Sequence, residues 1–124
     1  MKRYDPMRSP KPSEWLALDE SERVDLAMEF HTRHHLKPGS LRAHAMFHAI
    51  VETQVAMGEE LPVAATLERL QAEGLDRHEA VHAIASVLAE IVHGAATGSL
   101  SGDQRTAYIS GLEKLHANEW RHAR

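Results

Sequence analysis

Asp76-Arg77-His78-Glu79-Ala80-Val81-His82-Ala83-Ile84-Ala85-Ser86-Val87-Leu88-Ala89-Glu90-Ile91-Val92-His93 is the stretch that decides the fold. Asp76 stands where an N-cap side chain accepts from the first turn, and Glu79 follows at N3, where a carboxylate favours the helix dipole. Val81, Ile84, Ala85, Val87, Leu88, Ile91 and Val92 then recur with helical spacing. A helix apolar over most of its surface is usually buried, so this one is expected at the centre. The small residues from Gly94 to Gly98 predict its end.

Upstream, Asp19 and Glu22 have capping-box spacing. From Val24 through Ala27, Phe30 and His31 a helical period runs to about His35, where Lys37-Pro38-Gly39 stops it. Ser40 caps the next predicted helix, Leu41 to about Met57. Ala45, Phe47, Ile50, Val51 and Val55 form its apolar side and Gly58 closes it. Pro62 suits the first turn of a further helix carrying Val63, Leu67 and Leu70, with Gly74 at C′. Downstream, Ser101 or Asp103 starts a last helix through Tyr108, Leu112 and Leu115 that frays toward Arg124. Before all of these, Ser13 caps a short turn through Glu14, Trp15 and Leu16.

No segment alternates with strand period, and no Asn-Gly or Asp-Gly turn occurs. The chain therefore reads as all-α, a single-domain bundle of about five main helices with a short extra helix before them. Residues 1–12, punctuated by Pro6, Pro10 and Pro12, read as an extended segment, and 13–124 as the helical domain.

The 124 residues are 43% hydrophobic and 26% charged, with a formal net charge of −4. That balance argues against nucleic acid as a partner and gives no polybasic signal for a membrane surface. There is no cysteine, which removes disulfides, thiolate metal sites and cysteine nucleophiles. The first dozen residues lack the apolar core of a signal peptide. No uninterrupted apolar run approaches the roughly 20 residues that span a bilayer. The cytoplasm is the expected compartment, and a homodimer is the expected assembly.

Histidine is the anomaly, at ten residues. A chain this rich in histidine should contain about one i,i+4 pair by chance. His31/His35, His44/His48 and His78/His82 all qualify. Residues four apart share a helix face, so two imidazoles can bite one ion, and a second helix can complete the shell. His44, His48, His78 and His82 are the expected ligands of a transition-metal ion, zinc or iron in the first instance. Glu52 continues the line of His44 and His48 and is expected in or beside the shell. Asp76 and Arg77 are placed to orient an imidazole or an anion. His31, His34 and His35 close their helix, where the dipole favours donors, and read as structural.

Two other patterns compete. His78-Glu79-Ala80-Val81-His82 matches H-E-x-x-H of zinc peptidases, with Glu79 as the candidate catalytic base of a minimal zinc hydrolase. It lacks the extension and supporting sheet usual for that chemistry. E-x-x-H, the di-iron pattern, occurs at Glu79/His82, Glu90/His93, Glu113/His116 and Glu119/His122. The reading from another class is a metal-free helical interaction or oligomerisation module, its histidines forming a polar layer.

From His44-Ala45-Met46-Phe47-His48 through Glu52, and again from Glu73 to His82, the chain resembles a domain-of-unknown-function family of small uncharacterised bacterial helical proteins. That family pairs an H-x-x-x-H helix with an R-H-x-A-x-H helix. The resemblance covers about residues 40 to 95. It implies attention to His44, His48, Glu52, His78 and His82, and implies no activity or substrate.

Overall fold

The computed structural model describes residues 1–34 and 40–123. Seven α-helices run in the order α1 (Pro12–Ala17), α2 (Glu20–Arg33), α3 (Leu41–Ala56), α4 (Val63–Ala72), α5 (Arg77–Thr97), α6 (Gln104–Lys114) and α7 (Ala117–Ala123). A 3-10 turn, Gly58–Glu60, links α3 to α4. The described residues are 74% helical and include no strand. The expected stop of α2 at Lys37-Pro38-Gly39, and His35 with it, lie outside the described residues.

The helix starts follow from local chemistry. Asp19 accepts from the Glu22 amide at 2.8 Å while Glu22 accepts from the Asp19 amide at 3.1 Å, the reciprocal box the spacing predicts. Ser40, Asp76 and Asp103 each accept from the amide three residues on. α1 begins differently from the expectation: Pro12 takes the first helical turn after Lys11, and Ser13 lies inside the helix. Pro62 likewise stands one residue before α4.

α3 is the hub. It packs on α1 and α2 on one side and on α4 and α5 on another, and α5 in turn receives α6. Two apolar clusters result. One joins Tyr4, Trp15, Val24, Ala27, Phe30, Ala45 and Ala49. The other centres on Val51, Val63, Leu67, Leu70, Val81, Ile84 and Leu112. Tyr4 (1% exposed) and Pro6 are fully buried, so the otherwise mostly exposed N-terminal segment contributes two side chains to the interior.

α5 differs from its expected course. It continues through Gly94 to Thr97 and ends at Gly98, whose φ of 76° is a left-handed cap. Gly94 is buried against Leu100, and its carbonyl accepts from the amides of Ser99 and Leu100. By length and composition α5 is long enough to cross a membrane, although Arg77, Glu79, Glu90 and three histidines interrupt its apolar run. Its N-terminal half is the buried half, whereas Val92 is 44% exposed.

The expected last helix is two. Arg69 donates to the carbonyls of Leu112 and Leu115 at the end of α6, and Glu73 accepts from the Ala117 amide at 2.8 Å. The i,i+4 ion pair at the C-terminal end of α4 thus supplies partners to both sides of the break.

Candidate metal centre

Five imidazoles from three helices meet where the two apolar clusters join. α2 supplies His31, α3 supplies His44 and His48, and α5 supplies His78 and His82. One nitrogen from each of His31, His48, His78 and His82 lies within 4.8 Å of the other three, a group that could hold a metal ion. His44 joins through its Nε2, 3.0 Å from His82 Nε2. His48 Nε2 is 2.9 Å from that same His82 atom.

The local fold produces this convergence. The i,i+4 spacing sets His44 tilted beside His48 with ring centroids 4.9 Å apart, and His78 edge-on to His82 at 4.2 Å. Phe30 stands edge-on to both His31 and His78, an apolar wall against the two rings.

On two of the five rings, a hydrogen bond at Nδ1 fixes which nitrogen points inward. His31 Nδ1 is 2.7 Å from the Ala27 carbonyl, which can only accept, so Nδ1 carries the proton. His48 Nδ1 is 3.0 Å from the Tyr4 hydroxyl, and that hydroxyl donates at 2.5 Å to Glu52 Oε2. His48 Nδ1 therefore donates to Tyr4 and its Nε2 is a bare lone pair. His31 Nε2 and His78 Nε2 are buried and have no hydrogen-bond partner.

The protons do not suffice for the contacts. With His48 Nε2 bare, the short contact to His82 needs the His82 Nε2 proton. A neutral His82 then has neither a second proton nor a lone pair on that atom for His44. At least one contact is left without a hydrogen bond, in addition to the two orphan nitrogens. Buried polar atoms without partners are rare in native interiors and mark a ligand position or a store of strain.

Charging the rings is no remedy. Burial, with His31 and His78 opposing it further, holds His44 down at about 4. Burial and then His78, His44 and His31 hold His82 at about 3. His48 is driven far below the ordinary range by burial and then by His82. Burial also lowers His31 and His78. At neutral pH the cluster is a set of uncharged nitrogen bases, the form that ligates metals.

Glu52 lies beside this set rather than among the inward nitrogens. Its two oxygens meet the Arg77 guanidinium at 2.7 Å each, and Arg77 also donates to the Pro6 carbonyl at 2.8 Å. Burial works against the Arg77 charge, but the bonds from Glu52 raise its pKa. Burial, then Glu52, pushes the Tyr4 hydroxyl well above its ordinary 10.0. The chain Arg77–Glu52–Tyr4–His48 is a carboxylate-backed orienting relay of the kind that fixes metal-binding histidines. Arg77 was expected beside the second pair to orient a ring; it does so through Glu52, on the first pair.

Glu79 accepts from Trp120 Nε1 at 3.0 Å. His93, His116 and His122 are exposed, as are Glu90, Glu113 and Glu119, so the di-iron pattern gathers no centre from them. His34 bonds the Phe30 carbonyl and faces solvent.

Two participants escaped the sequence reading. His31, read there as a structural helix end, is 1% exposed and inside the cluster. Its signal was its period: it follows Val24 by seven residues and Ala27 by four, on the buried face of α2. Tyr4 carries no such signal in a proline-punctuated segment.

No protein-family model, curated protein or solved structure matches this chain.

Proposed function

We propose that this protein binds a divalent first-row transition-metal ion through His31, His44, His48, His78 and His82. The observation that carries the reading is the convergence of buried imidazole Nε2 atoms whose outer nitrogens on His31 and His48 are already committed as donors. The Arg77–Glu52–Tyr4 relay supports it, because such a chain has a use wherever a ligating ring must keep one tautomer.

The donor set is nitrogen only, which suits zinc, iron, nickel or copper and disfavours magnesium and calcium. Zinc or iron is the assignment we favour. Four imidazoles satisfy a tetrahedral ion, and the fifth permits the larger shell that iron takes. When bound, such an ion supplies Lewis acidity. His31 holds the α2 side, His44 and His48 the α3 side, and His78 and His82 the α5 side.

Elemental analysis of untagged protein, purified without added metal, tests this beside a His48→Ala/His82→Ala variant. Near-stoichiometric metal in the parent and none in the variant is expected. Metal in neither, with no rise in Tm on adding zinc or iron, overturns the reading in favour of a metal-free helical module.

A further inference from the structure

An open cleft of about 320 Å³ adjoins the histidine cluster. His44 and His82 line it, together with Phe47, Ala85, Ala89 and Trp120. His48 and His31 do not, and both are sealed in the interior. An ion held from the sealed side has this cleft as its approach from solvent.

The charge of the site selects what can enter. An imidazole ligates a metal ion in its neutral form, so five such donors cancel none of a dication's charge. Glu52 is already matched by Arg77 at 2.7 Å. Asp5, Asp76 and Glu79 act on His78, which does not line the cleft; of the three, Glu79 also acts on His82, which does, and it is one carboxylate against a double charge. The balance still favours one further negative charge in a partly desolvated setting. The cleft walls, by contrast, are largely apolar. Phe47, Ala85 and Ala89 offer no charge, and the Ser86 hydroxyl is bonded to the Ala83 carbonyl at 2.7 Å.

We propose that the cleft is a binding site for a small monocarboxylate with a short apolar tail. Its carboxylate faces His44 and His82 and the ion they help hold. Its tail lies along Phe47, Ala85, Ala89 and Trp120. This rests on the metal reading above and names the ligand class for that site.

Cobalt(II) loaded into the full chain gives a visible spectrum that reports both events separately. Acetate, butyrate and butylammonium are titrated in turn. Both carboxylates are expected to shift the bands saturably, with butyrate about tenfold tighter than acetate because two more methylenes leave water. Butylammonium, which has the same tail and the opposite charge, should leave the bands unchanged. Ala85→Leu should keep the cobalt spectrum and the acetate response while losing the preference for butyrate. If that variant does not fold, the ligand series on the parent chain still decides. A cobalt spectrum that no carboxylate perturbs, or equal affinity for acetate and butyrate, overturns the cleft proposal and leaves the metal reading standing. Absence of any cobalt spectrum overturns both.

Discussion

Arg77 and Glu52 form a two-point ion pair in the interior, each guanidinium nitrogen 2.7 Å from its own carboxylate oxygen. The side chains are 6% and 0% exposed. Removing one member strands the other charge away from water, which costs about 3–5 kcal/mol. Arg77→Met should lower the unfolding free energy by that amount, read as a fall in the urea midpoint at unchanged m. Arg77→Met/Glu52→Leu should recover a large part of it, because an apolar replacement of both partners removes the stranded charge. A double variant no more stable than Arg77→Met would show that the pair is not energetically coupled.

Tyr4 touches no inward-facing nitrogen, yet its hydroxyl holds His48 Nδ1 at 3.0 Å. Tyr4→Phe should leave the helical circular-dichroism spectrum intact and weaken metal affinity about 10–100-fold, the usual range for an orienting partner. His31→Ala should weaken it further, and His34→Ala should leave it unchanged. Competition titration with a colorimetric chelator measures all three. Equal affinity in parent and Tyr4→Phe would detach the relay from the site.

The metal-free protein should lose stability as pH falls from about 6.5 toward about 4. His44 and His82 have folded values near 4 and near 3 against an ordinary 6.5. Above 6.5 both folded and unfolded chains hold these rings neutral, so the linkage contributes nothing. Between 6.5 and the folded values the unfolded chain binds more protons, and stability rises with pH. Below the folded values the loss levels off. Tm recorded against pH in the presence of chelator tests this, and His44→Gln/His82→Gln should flatten the slope. A Tm that is flat through this window in the parent would contradict the burial of the rings.

Glu73 anchors the start of α7 by accepting from the Ala117 amide, and Arg69 binds the end of α6. The Ala117 bond, then Arg69, lowers the Glu73 carboxyl from 4.5 to about 2. Its stabilising contribution is present above pH 4.5 and is lost as pH falls through about 2. Glu73→Ala should speed amide exchange across 117–123 at neutral pH while α2 and α3 keep their protection. Unchanged exchange in α7 would show that Trp120 and Ala117 packing alone holds it.

The fold was legible because its signals are local. Asp19 with Glu22, and the caps at Ser40, Asp76 and Asp103, act within three residues of themselves. The break between α6 and α7 was not legible, because its stabilising groups, Arg69 and Glu73, sit at the C-terminal end of α4 more than 40 residues away. The site divides the same way. The pairs His44/His48 and His78/His82 announce themselves by spacing within one helix. Glu52 was expected on their line, but its partners lie at separations of 25 and 48 residues. Only the folded chain tells whether its oxygens serve an ion or an arginine. Gly94 misled for a related reason: glycine is a helix breaker in isolation, and here its carbonyl is satisfied by the Ser99 and Leu100 amides beyond the helix.

The i,i+4 pairs also reach into the denatured ensemble. If the protein binds metal as proposed, either pair offers two donors across one nascent turn without the rest of the fold, and the unfolded chain keeps some affinity. Stabilisation by metal reflects the ratio of native to denatured affinity, and is smaller than native affinity alone implies. His31 is the member that sharpens this ratio. It lies on a different helix from both pairs and joins them only when α2 has docked on α3.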